Sequence, residues 1–184
     1  EILKNYGNSE DHLISSANSI NIARLIPQIV YYIASYFDLV RRNFIKYGEK
    51  LNVSVPTGNF GNILAGYLAK KMGLPIQNLL CASNQNDVLT EFFVSGRYNK
   101  KRQFYLTRSP SMDILVSSNL ERLISLIVGE ERCLQYMNEL EENGEYSLPQ
   151  EDLDKLNDFY GFKASDEEVV EAIRDIYKEK RYLI

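Results

Sequence analysis

The sequence predicts an α/β fold: part of a doubly wound, mainly parallel sheet flanked by helices, with a helix-rich C-terminal half. Three observations carry this prediction. Leu51-Asn52-Val53-Ser54-Val55-Pro56 alternates apolar and polar side chains, the pattern of a half-buried strand. A helical stretch follows after a short Gly-rich turn, and a second apolar run, Asn78 to Ser83, comes soon after that helix. A strand–helix–strand order with such short connections argues for two parallel strands in one sheet joined by a crossover helix.

The elements can be justified in order. Residues 1–18 are polar and loop-like, with Gly7, Asn8 and the run Ser15-Ser16-Ala17-Asn18. A helix is expected from about Ile20 to Val40, with Ile22, Ile26, Ile29, Ile33 and Phe37 recurring at three- and four-residue steps as a buried stripe. Pro27 lies inside it; lacking an N–H, it should kink the helix unless the first turn is reset there. After the strand at 51–56 and the loop at 57–62, a helix from Ile63 to Met72 stops at Gly73 and Pro75. Its small residues Ala65, Gly66 and Ala69 suit close packing on a sheet. Asp87 is expected to cap a short helix through Phe93. Residues 95–112 are irregular and basic. Helices are expected over about Asp113–Val128 and Glu130–Glu142, a short one from Pro149 to Leu156, and a short strand over Asp158–Phe162. Ser165-Asp166-Glu167-Glu168 is a capping box that opens the last helix, to about Lys180.

Bulk properties narrow the function. The 184 residues are 45% hydrophobic and 25% charged, with a net charge of -4, so no broad basic face for nucleic acid is expected. The longest apolar stretches are broken by polar residues and prolines, so no membrane partner is expected either. Cys81 and Cys133 have no CxxC or Cys/His companion; a metal site and a disulfide framework are not expected, and free thiols fit a reducing cytoplasm. His12, the only histidine, has no partner motif and reads as a surface residue. Glu1 at one end and the apolar Tyr182-Leu183-Ile184 at the other read as interior points of a longer chain. No GxSxG, HExxH or Cys/His pair offers a catalytic team.

The segment Gly58-Asn59-Phe60-Gly61-Asn62 is the first candidate site. It lies where a strand ends and a helix begins. The first helical turn has unpaired N–H groups and a partial positive charge, so it can hold an anion. Gly58 and Gly61 permit close approach and positive φ, Asn59 and Asn62 can add amide donors, and Thr57 can add a hydroxyl. A tight turn without a ligand is the alternative on residue type alone. The absence of GxGxxG and of a Walker-type lysine argues for a single phosphate ester rather than a nucleotide.

A second polar cluster, Ser15, Ser16, Asn18, Ser19, Asn21 and Arg24, precedes the first helix. Ser19 or Asn18 is a natural N-cap, and with Asn21 and Arg24 the group offers hydroxyl, amide and guanidinium donors. Residue type alone favours a capped helix with a surface arginine over an anion site. Asn84, Asn86 and Asp87, beyond the carboxyl end of the second strand, lie where ligands of open α/β sheets bind.

Four segments together resemble the threonine synthase family. Ser16 to Arg24 is similar to its SANSINxxR segment, and Val55 to Gly66 to its VPTGNFGN segment. Ala82 to Asp87 resembles its A(T/S)NxND segment, and Ser111 to Arg122 its MDIxxSSNxER segment. The motifs occur in the family's order over about residues 15–122. Members of that family are pyridoxal-phosphate lyases of the tryptophan-synthase-β-like fold (fold type II). They convert O-phospho-L-homoserine and water to L-threonine and phosphate.

The resemblance implies that Gly58, Asn59, Phe60, Gly61 and Asn62 bind the phosphate of pyridoxal 5'-phosphate. It implies that Asn18, Ser19, Asn21 and Arg24 bind the phosphate of the substrate. The family's cofactor-anchoring lysine sits in an (S/A)FKD-like motif, expected upstream of Glu1, so no catalytic residue is assigned here. Residues 1–184 then form a central to C-terminal portion of the catalytic region, lacking the lysine segment and the pyridine-contacting segment, and are expected to be inactive alone. The rival expectations are an inactive phosphate-binding fragment and a helix-rich interaction module.

Overall fold

A computed structural model describes residues 18–182. The readings for the loop before residue 18, including Ser15, Ser16 and His12, lie outside the described residues. In chain order the helices are α1 (Ile22–Leu25), α2 (Ile29–Arg41), α3 (Gly61–Lys71), α4 (Val88–Ser95), α5 (Leu120–Val128), α6 (Glu130–Asn143), α7 (Gln150–Leu153) and α8 (Asp166–Lys180). The strands are β1 (Leu51–Pro56), β2 (Ile76–Ser83), β3 (Arg97–Asn99), β4 (Glu145–Ser147) and β5 (Phe159–Lys163).

The architecture is α/β, as expected. β1, β2 and β5 form a parallel sheet in the order β1-β2-β5. Val55 stands opposite Cys81, and Cys81 in turn opposite Gly161. α3 carries the chain from β1 to β2 and buries Ile63, Leu64, Ala65, Tyr67 and Ala69. That burial on nearly every side explains why its sequence shows little amphipathic pattern. Leu79, Cys81, Val88, Leu89, Phe92 and Phe159 complete the central core. Both cysteines are buried free thiols, and burial pushes the Cys81 thiol up to about 12. No helix among the described residues is long and apolar enough to cross a membrane.

Pro27 acts as its chemistry requires. A 3-10 turn, Ile26–Gln28, separates α1 from α2, and the N–H of Ile29 donates to the carbonyls of Ile26 and Pro27. The turn also overturns the expected stripe. The inward residues are Leu25, Ile29, Tyr32 and Tyr36, whereas Ile22, Ile26 and Phe37 are exposed. Each 3-10 residue advances about 120° rather than about 100°, so three of them rotate the downstream face by roughly 60°. Tyr32 then lies over α3, where a Cβ on Gly66 would come within 2.7 Å of its ring. The small residue that was expected to pack on the sheet is instead the seat for an aromatic ring from α2.

Three further expectations are corrected. The helix expected from Asp113 begins only at Leu120, because the side chains of Asp113, Ser117 and Asn119 bond to other loops and hold 113–119 out of helical form. Asp87 stands at the N-cap position of α4 but makes no side-chain cap; its carboxylate pairs with Arg102 at 2.6 Å and Lys163 at 2.7 Å. Residues 97–99 and 145–147 form an antiparallel pair, with Tyr98 opposite Tyr146 and their rings stacked at 5.5 Å. Three-residue strands are too short to show a period, so this pair left no sequence signal.

The capping box is present in both halves. The Ser165 hydroxyl accepts from the Glu168 N–H at 3.2 Å, and the Ser165 N–H donates to the Glu168 carboxylate at 2.7 Å. α8 has no fully buried residue, so its stability leans on this cap. Ser165→Ala is expected to weaken α8 by about 1 kcal/mol. Faster hydrogen exchange confined to the first turns of α8 would register the loss.

Candidate functional site

The loop 57–62 is shaped by four constraints. The N–H of Thr57 donates to the Ala82 carbonyl at 2.8 Å, which keeps the loop beside the carboxyl end of β2. The Thr57 hydroxyl donates back to the Val55 carbonyl at 2.6 Å. A Cβ on Gly58 would lie 3.0 Å from the Ser111 carbonyl oxygen, so glycine here permits close contact with the segment at 111–112. Neither Gly58 nor Gly61 takes positive φ. Phe60 does, at φ 63° and ψ 4°, in the N-cap position of α3. A bulky residue in this left-handed region costs about 1–3 kcal/mol. The ring is held accordingly: it is 1% exposed, and its centroid lies 5.8 Å from those of both Phe93 and Phe159.

The turn at Phe60 leaves no side chain capping α3. The first-turn amides, those of Gly61, Asn62 and Ile63, therefore stand at the positive end of an 11-residue helix without a capping oxygen. Asn62 is used differently from expectation. Its Nδ2 donates to Gln28 Oε1 at 2.9 Å, and its Oδ1 accepts from the Tyr32 hydroxyl at 2.7 Å. It braces α3 against α2.

The second cluster lies at the same cleft. Ser19, Arg24 and Gln28 line a space of about 300 Å³ together with residues 55–63, and Ser111 and Met112 complete its lining. Asn18 and Asn21 do not line it; they build the turn that presents Ser19 and Arg24. The Asn18 side chain accepts from the Ile20 N–H at 3.0 Å. Asn21, rather than Ser19 or Asn18, is the N-cap of α1, accepting from the Ala23 N–H at 2.9 Å. With α1 only four residues long, a helix dipole contributes little there, and side-chain donors dominate. Among the described residues lining the cleft, Arg24 is the only cation.

Asn84 and Asn86 are buried and support the cleft from outside it. The Asn84 amide donates to Asp113 at 2.7 Å and to the Thr107 hydroxyl at 2.9 Å. The Asn86 amide donates to Asp113 at 3.1 Å and to the Tyr105 carbonyl at 2.8 Å. Asp113 thus pins the segment that carries Ser111 and Met112. Burial raises its carboxyl, but hydrogen bonds from the Thr107 N–H, the Thr107 hydroxyl, Asn84 and Asn86 outweigh this and hold it below the usual carboxylate range. Gln28, Ser111, Ser117 and Asn119 also belong to this region and were given no role from residue type. The last three fall in the MDIxxSSNxER-like segment, which was the available signal.

Fold and cleft define an α/β protein with a parallel sheet, in which an uncapped helix start and an arginine-bearing turn share one polar cleft. No protein-family model matches the chain. It is similar to human threonine synthase-like 1, 44% identical over 176 residues, covering 94% of this chain and 24% of that protein. Its fold matches the crystal structure of threonine synthase from yeast, with a TM-score of 0.87, 38% identity, and coverage of 100% of this chain and 39% of that one. It also matches a pyridoxal-phosphate-bound threonine synthase from Brucella melitensis, with a TM-score of 0.86, 37% identity, and coverage of 92% and 36%. The chain belongs to the threonine synthase family. It spans between about a quarter and two-fifths of the length of these relatives.

Two outcomes follow for the loop. Gly58→Ala sets a Cβ against the Ser111 backbone and is expected to destabilise the fold by about 1–3 kcal/mol, read as a lower denaturation midpoint. Asp113 has a folded value below its unfolded one. Its contribution is therefore fully present above about pH 4 and is lost as pH falls through the folded value. Asp113→Asn should make the denaturation midpoint lower at pH 6 and less dependent on acid between pH 5 and pH 3.

Proposed function

We propose that residues 1–184 are the portion of a pyridoxal-phosphate-dependent threonine synthase that holds two phosphates, one of the cofactor and one of the substrate. The whole enzyme is a lyase of threonine biosynthesis that converts O-phospho-L-homoserine and water to L-threonine and phosphate. One observation carries the proposal: two anion-seeking elements, far apart in sequence, line a single small cleft. The cradle suits a phosphate ester. It presents uncapped first-turn amides, and glycine at 58 keeps the main chain close to its neighbour.

In this scheme the N–H groups at the start of α3, with Gly58, Asn59 and Phe60 of the loop, hold the cofactor phosphate. When bound, pyridoxal phosphate supplies an electron sink for reactions at an amino acid's carbons. Arg24 offers a planar pair of donors to the substrate phosphate, and Ser19 offers a hydroxyl. Asn18 and Asn21 hold that turn in shape. As the phosphate leaves, Arg24 balances its charge where β1 and α3 shield one side from water.

A second reading concerns the chain by itself. Among the described residues no lysine lines the cleft, so this chain would bind phosphate groups without anchoring the cofactor covalently. The two are separable by one set of measurements. Saturable binding of inorganic phosphate and of pyridoxal phosphate is expected, with the latter's visible absorbance lost on dialysis. Absorbance that survives dialysis would show an anchored cofactor, and absence of any phosphate binding would defeat both readings. Arg24→Ala removes a charge-assisted contact of about 1.5–3 kcal/mol and should weaken phosphate binding by roughly tenfold or more.

A further inference from the structure

The carbonyl oxygens of the loop are held from one side. The Gly58 carbonyl accepts from the Ser117 hydroxyl at 2.9 Å. The Asn59 carbonyl accepts from both the backbone N–H of Asn119, at 3.1 Å, and its Nδ2, at 2.8 Å. Neither Ser117 nor Asn119 lines the cleft. In a trans peptide the N–H points opposite to its C=O. The N–H groups of Asn59 and Phe60, joined to these two carbonyls, are therefore turned away from Ser117 and Asn119. An anion is attracted by such amides and repelled by carbonyl oxygens, so tying back the carbonyls matters as much as presenting the amides.

Asn119 also reaches the second element of the cleft. The same Nδ2 donates to the Ser19 carbonyl at 3.1 Å. Its Oδ1 accepts from Arg122 Nε at 3.2 Å, and Arg122 Nη2 donates to the Ile20 carbonyl at 2.6 Å. The Asn119 side chain is fully buried, with every polar atom bonded. One amide group thus joins residue 59 to residue 19, across 40 residues of sequence.

We propose that Asn119 is a positioning residue, which orients the amides of the loop at 58–62 and sets the spacing between that loop and the turn bearing Ser19 and Arg24. It touches no ligand; it acts through the carbonyls of Asn59 and Ser19. The proposal rests on the reading of the cleft as a phosphate site. No other type of short side chain does the same. Aspartate lacks the donors, and serine or alanine cannot span from Asn59 to Ser19 while accepting from Arg122.

The test is a double-mutant cycle on the protein, with inorganic phosphate as the probe and calorimetric titration as the readout. Asn119→Ala should weaken phosphate binding about tenfold or more. Arg24→Ala should do the same in the wild-type background but have less than about a threefold effect in the Asn119→Ala background, since coupled residues are non-additive. A merely structural residue would lower Tm and leave the phosphate affinity and the full Arg24 effect in place, which would overturn the proposal while the phosphate reading stands. Absence of saturable phosphate binding by the wild-type protein would overturn that reading, and this proposal with it. If Asn119→Ala shows no cooperative melt, the same cycle is read on Asn119→Ser, which keeps a polar group at the start of α5.

Discussion

Phe60 sits in a left-handed conformation that only its burial can sustain. The ring packs against Phe93 of α4 and Phe159 of β5, whose own rings stack on each other at 5.1 Å. That packing joins the sheet, two helices and the loop at one point. It also decides the loop's chemistry. A residue turned this way starts α3 abruptly with no capping side chain, so the amides of the first turn remain for something else. Had the sequence used the glycines for the sharp turn, the same path would be reached without an anchor in the core, and the loop would be free to sample others.

From that anchor the cleft is assembled in layers. Asn62 and Tyr32 set the angle of α2 on α3, and Gly66 allows the ring to lie close. The 3-10 turn at Pro27 joins α2 to α1, which carries Arg24, with Ser19 in the turn just before it. On the far side, Asn84 and Asn86 reach out from the end of β2 to Asp113, which brings Ser111 and Met112 against Gly58. Ser117 and Asn119 complete the closure from behind. The side chains of Asn84, Asn86, Asp113, Ser117 and Asn119 are all hydrogen-bonded, as polar groups removed from water usually are. Such a network is stiff, and stiffness is what a small polar cleft needs to hold its donors apart.

Much of the fold was legible in the sequence for a local reason. β1, β2, α3 and α8 are written in period, small residues, stop signals and a capping box, all of which act between near neighbours. The antiparallel pair of β3 and β4 was not legible, because three residues carry no period and the partner lies nearly 50 residues away. The inward face of α2 was misread because one 3-10 turn at Pro27 rotated it. Residues 113–119 were expected to open the helix that runs to Val128, and long-range side-chain bonds hold them out of it instead. Asp87 looks like a cap and is an ion-pair partner of Arg102 and Lys163 instead.

The same division runs through the candidate site. The sequence by itself determined that a strand ends in a Gly-Asn-Phe-Gly-Asn turn before a helix, and that Ser, Asn and Arg crowd another helix start; the ordered motifs determined the family. Only the tertiary structure decided that these two segments face one space, that Phe60 rather than a glycine takes the strained angle, and that Asn119 ties one segment to the other. The reason is physical. Backbone propensity and capping are set within a few residues, whereas the direction of an amide depends on what binds the carbonyl behind it, and here that partner is supplied from 60 residues along the chain.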